Sequence, residues 1–186
     1  MLVSHILNIM NIKKAIFFDR DGTLIIDKVY LNDPTQIEYL PGAFTALRQL
    51  QAAGFCFVVV TNQSGVARGL VELKNLELIH QKITHDFAQN GVAFAGFYFA
   101  PHSVESNHHT RKPNPGMLEM GARDHDIDLS KSWMIGDRMT DVEAGRRAGT
   151  KTILLAGFER PEDSHFEKPT AFMPDLISMS EFILSH

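Results

Sequence analysis

Three features of this 186-residue sequence predict an α/β fold, a parallel sheet with helices on both faces. Short apolar runs recur at 15–18, 55–60, 94–99, 133–135 and 152–155, which suits buried strands better than strands with one solvated face. Stretches with helical period lie between them, at 41–54, 73–87, 116–124 and 140–148. Polar residues able to do chemistry stand where the runs end, at Asp19, Thr61 and Asp137, and the carboxyl ends of strands are where open α/β sheets bind ligands.

Taken in order, residues 1–12 form an expected N-terminal extension ahead of a single domain over 13–186. They are apolar but interrupted by His5, Asn8 and Asn11, with no basic region before them, so a secretory signal is not expected. The first strand runs into Asp19-Arg20-Asp21-Gly22-Thr23. Its two acids leave on one side, because strand side chains repeat with period two. Residues 27–38 mix Pro, Asn and Asp without a period and read as a loop over the strand end. Pro41-Gly42 opens a helix with Phe44, Leu47, Leu50 and Ala53 on one face, and Gly54 closes it. The second strand leads to Thr61-Asn62-Gln63-Ser64-Gly65, and the third to a His-rich loop over 101–110. Arg111-Lys112-Pro113-Asn114-Pro115-Gly116 then opens a helix, with Pro115 in its first turn. Residues 174–184 read as a last short strand followed by a helix.

Composition narrows the function. Hydrophobic residues make 44% and charged ones 22%, a globular balance, and the net charge of −4 offers no bulk attraction to nucleic acid or anionic membrane. No apolar run reaches the ~18 residues of a membrane span. The one cysteine, Cys56, sits in an apolar run and reads as core. A cytoplasmic monomer is the expectation, with neither nucleic acid nor membrane as partner.

Four strand ends carry polar groups: Asp19 with Asp21, Thr61 with Asn62, Lys112, and Asp137 with Asp141. Singly each has an ordinary explanation, such as a turn, a surface charge, or acids favoured by a helix dipole. Jointly, after successive buried strands, they describe one site. Asp19, Asp137 and Asp141 would gather negative charge, and like charges ~4 Å apart repel by ~4 kcal/mol at an effective dielectric of 20. A hard cation relieves this, and carboxylates without sulfur ligands point to Mg²⁺, which also binds substrate phosphate. Lys112, Thr61 and Asn62 would hold phosphate oxygens, and Asp19 could attack phosphorus. A phosphatase acting on a small phosphorylated metabolite is the expectation. Phosphate binding without turnover is the competing reading, and the acid pair Asp19 and Asp21 argues against it, because binding needs no proton donor. Repair of nucleic-acid 3′-phosphate ends is disfavoured by the acidic total and the missing basic tract.

These residues, in order from Lys14 to Leu155, resemble the four motifs of the haloacid dehalogenase (HAD) superfamily. Thr61 to Gly69 and Arg111-Lys112-Pro113 resemble its branch of heptose-bisphosphate and histidinol-phosphate phosphatases. The resemblance implies a Rossmann-like, HAD-like fold with a minimal cap. It also implies Asp19 as nucleophile forming an aspartyl phosphate, Asp21 as general acid and then base, and Thr61 and Lys112 as phosphate ligands. Mg²⁺ would be held by Asp19, the Asp21 carbonyl and Asp137, with Asp141 as support.

Two positions depart from that branch. Where many members hold a structural zinc with cysteines and a histidine, this chain has Ala100, His102, His108 and Thr110, so zinc is not expected. Val29 stands where a glycine is expected. A sugar bisphosphate is the expected substrate over histidinol phosphate, since Arg68 and Arg111 would be cations to spare for a second phosphate. An ammonium would need acidic or aromatic partners, for which only Asp27, Tyr30 and Asp33 are at hand.

Overall fold

The computed structural model of the protein describes residues 12–157 and 159–186. Apart from Ile12, the expected N-terminal extension lies outside them. Strands β1 (Ala15–Phe18), β2 (Cys56–Asn62), β3 (Phe94–Ala100), β4 (Trp133–Gly136), β5 (Lys151–Leu155) and β6 (Ala171–Met173) form one parallel sheet. Their order is β3-β2-β1-β4-β5-β6. This is the doubly wound order, in which the chain reverses direction across the sheet between β1 and β4, and a crevice opens at the carboxyl ends of those two strands.

Helices α1 (Ala43–Ala52), α2 (Ser64–Ala67), α3 (Leu73–Gln89), α4 (Gly116–His125), α5 (Met139–Ala148) and α6 (Leu176–Ser185) complete the architecture. The period of two divides β1 between two cores. Ile16 and Phe18 pack with Leu47 and Leu50 of α1, Ile83 and Phe87 of α3, and Met179 and Ile183 of α6. Ala15 and Phe17 pack on the other face with Met117 and Leu118 of α4 and Ala144 of α5. All four β1 residues are fully buried, as the continuous apolar run requires. The loop after β1 carries two isolated β-bridges, Asp21 to Ile25 and Ile25 to Tyr39, and a 3-10 turn, Pro34–Gln36, with Asp33 accepting from the Thr35 amide at 2.8 Å. That is the minimal cap.

Two details differ from the expectation. The last strand ends before Pro174 instead of beginning there. Proline has no amide to give a ladder, and Asp175 instead caps α6, accepting from Ser178 N–H at 2.7 Å. The short helix α2 was not anticipated, and Thr61 and Asn62 close β2 instead of following it. Among the described residues, no helix is long and apolar enough to cross a membrane.

Candidate active site

Asp19 is the first residue beyond β1. Its amide bonds to the Ile135 carbonyl at 2.8 Å, so the backbone is still held against β4 when the carboxylate leaves the sheet. Gly22 follows with φ of 77°, a left-handed conformation, and a Cβ there would lie 2.3 Å from Asp137 Oδ2. A side chain on Gly136 would meet Asp141 Oδ2 at 2.2 Å. The two glycines therefore make room for the two carboxylates. Oxygens of Asp19, Asp137 and Asp141 lie within 4.8 Å of one another, and among the described residues this is the cluster arranged to hold a metal ion.

Lys112 reaches this cluster from the far side of the loop after β3. Its buried ammonium donates to Asp19 Oδ1 at 2.7 Å and the Val60 carbonyl at 2.8 Å, and lies 2.6 Å from Asp141 Oδ1. All three N–H groups thus have acceptors. The Asn62 side chain fixes the Lys112 backbone from both sides, donating to its carbonyl at 3.0 Å and accepting from its amide at 3.1 Å. Gln63 stands just beyond β2, and its Nε2 donates at 2.9 Å to both Thr61 Oγ1 and Asp21 Oδ2.

These groups open on a cavity of about 620 Å³, lined among others by Asp19, Asp21, Thr61, Asn62, Lys112 and Asp141. Arg111 lines it too, anchored by Nη1 donating to the His102 carbonyl at 2.9 Å. Arg68 does not line it. Its guanidinium donates to the hydroxyl of Tyr30, and Tyr30 forms the wall there.

Part of this arrangement corresponds to a known family. Residues 109–179 match the HAD-hydrolase-like family. The D-glycero-beta-D-manno-heptose-1,7-bisphosphate 7-phosphatase of Pasteurella multocida is 36% identical over 172 residues, 89% of this chain and 94% of that protein. The Escherichia coli K12 enzyme of the same name is 40% identical over 153 residues, 77% and 80% of the two chains. The chain belongs to the HAD-like phosphatase family. A D,D-heptose 1,7-bisphosphate phosphatase from B. bronchiseptica, crystallised with magnesium and phosphate, superimposes with a TM-score of 0.84 at 32% identity. The match covers 92% of this chain and 98% of that one.

The electrostatics suit a phosphatase of this family. Burial pushes the Asp137 carboxyl up to about 7, and Asp19 and then Asp141 add to the shift. Its Oδ1 is buried with no hydrogen-bond partner, which is costly for an ionised oxygen and is relieved by a cation. Burial also raises Asp19, against the pull of Lys112. For Lys112, burial works against the charge, but Asp141 and Asp19 outweigh it and hold the ammonium protonated. The carboxylate donor set with an unpartnered buried oxygen fits a hard divalent cation.

Residues not anticipated from the sequence complete the site. Arg20 stands between the two acids of the first motif and pairs with the second, while His80 comes from α3, sixty residues on. Arg138 lines the cavity, 3.4 Å from Asp27 Oδ2. Glu159 does as well, and its Oε2 accepts from the Met139 amide at the start of α5 at 2.6 Å. Val29 keeps a glycine-like φ of 66° and lines the mouth. The loop expected to lack zinc stacks His102 on His108 at 3.6 Å, and His108 Nδ1 lies 2.8 Å from Thr110 Oγ1.

Proposed function

We propose that this phosphatase removes the 7-phosphate of D-glycero-beta-D-manno-heptose 1,7-bisphosphate. The observation that carries the chemistry is Asp19, held by Lys112 in the cluster with Asp137, whose Oδ1 is buried without a partner, and lining a cavity that Arg111 also lines. Asp19 attacks phosphorus and the bond from phosphorus to the sugar oxygen breaks, leaving an aspartyl phosphate. Asp21 gives the departing oxygen its proton, then takes one from water as that water attacks phosphorus, releasing phosphate and restoring Asp19. Thr61 and Lys112 bind the phosphate oxygens, the lysine by turning one N–H from its two carboxylates to the substrate. Asn62 acts chiefly through Lys112, because its amide oxygen and one N–H are committed to the lysine backbone. Asp19, Asp137 and the Asp21 carbonyl would hold magnesium, with Asp141 beside them. Bound there, the ion would offset the clustered carboxylates and the charge on the transferring group.

The substrate reading rests on the relatives' names and on Arg111. A guanidinium on the cavity wall suits a second phosphate. The acids that would serve an ammonium are already engaged, Asp27 with the Val29 amide and Arg138, and Asp33 with its own turn. Arg68, outside the lining, drops to a supporting role behind Tyr30. We also propose that the protein acts as a monomer and that the reaction takes place in the cytoplasm.

The test is kcat/KM with magnesium for the heptose bisphosphate and for histidinol phosphate, repeated with Arg111→Ala. The bisphosphate should be preferred. Arg111→Ala should cost it about 10- to 100-fold, the range of one charge-assisted hydrogen bond, and cost a small monophosphate much less. Equal losses, or a preference for histidinol phosphate, would remove the heptose assignment and leave the phosphatase chemistry standing.

We also propose that the loop around His102 and His108 folds without zinc. Elemental analysis of protein purified without added metal should find far less than one zinc per chain, and chelation should leave the melting temperature of this loop's host fold unchanged. A stoichiometric zinc would refute this.

A further inference from the structure

The guanidinium of Arg20 is 1% exposed, yet it lies at the edge of the site and not in an apolar core. Its Nε donates to Asp21 Oδ2 at 3.0 Å, while Nη2 donates to Oδ1 at 3.0 Å and lies 2.8 Å from Oδ2. Nη1 lies 3.3 Å from His80 Nε2. Arginine has no acceptor, so His80 must accept there and carry its proton on Nδ1. Burial, and then Arg20 itself, push the His80 pKa down to about 3, consistent with a neutral ring. The ring is wedged beside Phe97 and Phe99, with centroids 4.9 and 6.1 Å away. The chain of contacts therefore runs from a packed imidazole through a planar fork to the carboxylate.

We propose that Arg20, braced by His80, is the positioning residue that aims the Asp21 carboxyl at the departing oxygen. This rests on the assignment of Asp21 as general acid and base. Oδ2 receives two donors, Arg20 Nε and Gln63 Nε2, and Oδ1 receives one. Oδ1 is thus the oxygen with a lone pair left to carry the proton. The fork holds the group in both its ionised and its protonated form, as an acid that must later act as a base requires. A buried ion pair contributes little stability over apolar packing, so a purely structural role explains this one poorly. Lysine in the same place would keep the charge and lose the fork.

The test uses two esters on the full chain with magnesium. One is an alkyl phosphate, a sugar phosphate, whose alkoxide needs a proton to leave. The other is 2,4-dinitrophenyl phosphate, whose phenolate leaves without one. Both esters share the later hydrolysis of the aspartyl phosphate, so the readout is kcat/KM, which reports only the steps up to its formation. In Arg20→Gln and Arg20→Lys, kcat/KM for the alkyl ester should fall about 10²- to 10⁴-fold, the usual contribution of a positioned acid. The dinitrophenyl ester should lose less than about tenfold. Arg20→Lys keeps the test open should Arg20→Gln fail to fold, and thermal melts identify which variants are folded. Equal losses on both esters in a folded variant, or no loss on either, would overturn the proposal while leaving the phosphatase reading intact. No turnover of either ester by the unmodified protein would remove that reading and this proposal together.

Discussion

Asp19→Asn is expected to lower kcat on any phosphate ester by about 10⁴-fold or more, with the fold retained. The amide oxygen is a poor nucleophile, and the change also removes one of the two carboxylates that would hold the metal. Stability should not suffer. The amide still offers an oxygen to Lys112, and a cluster of like charges loses one member, worth up to ~4 kcal/mol of repulsion for a pair ~4 Å apart at an effective dielectric of 20. Melting temperature and activity should therefore part company, with the melt of the metal-free variant at or above that of the unmodified protein. Residual activity within tenfold of the unmodified protein would show that another group attacks phosphorus.

Lys112→Met should do the reverse and damage both. The ammonium is buried and satisfies Asp19, Asp141 and the Val60 carbonyl at once, so its loss leaves two buried carboxylates without their cation and the carbonyl without this donor. Breaking a buried ion pair from one side costs about 3–5 kcal/mol. For a domain of this size that is a fall in melting temperature on the order of 10 °C. Magnesium should narrow the deficit, since a cation beside Asp19 and Asp137 supplies part of the missing positive charge. Turnover should be lost with the phosphate ligand. A melt unchanged within a degree, in metal-free buffer, would mean that the carboxylates are protonated or hydrated instead of paired with Lys112.

Much of this protein is legible along the chain because its decisive features are local. A run such as Ala15-Ile16-Phe17-Phe18 can be satisfied only where both faces are covered, so it announces a central parallel strand, and the acids directly after it fall at the sheet's carboxyl edge. Asp137 and Asp141 are likewise tied to β4 and the first turn of α5 by adjacency alone. The last strand escaped because three residues, one of them exposed, make too short a run for periodicity, and Pro174 drew the boundary the wrong way.

What the sequence alone determined was the set of strand ends and the residue types placed on them. Which strands became neighbours was settled only in three dimensions, where β1 sits between β2 and β4 and the crevice opens at the carboxyl ends of β1 and β4. The pairings that give each group its character are equally nonlocal. Lys112 finds Asp19 across 93 positions, Arg20 finds His80 across 60, and Arg68, close to the motif in sequence, ends up behind Tyr30 instead of on the cavity wall. The physical reason is that burial and charge pairing depend on which side chains meet once the helices cover the sheet. No spacing along the chain encodes that meeting.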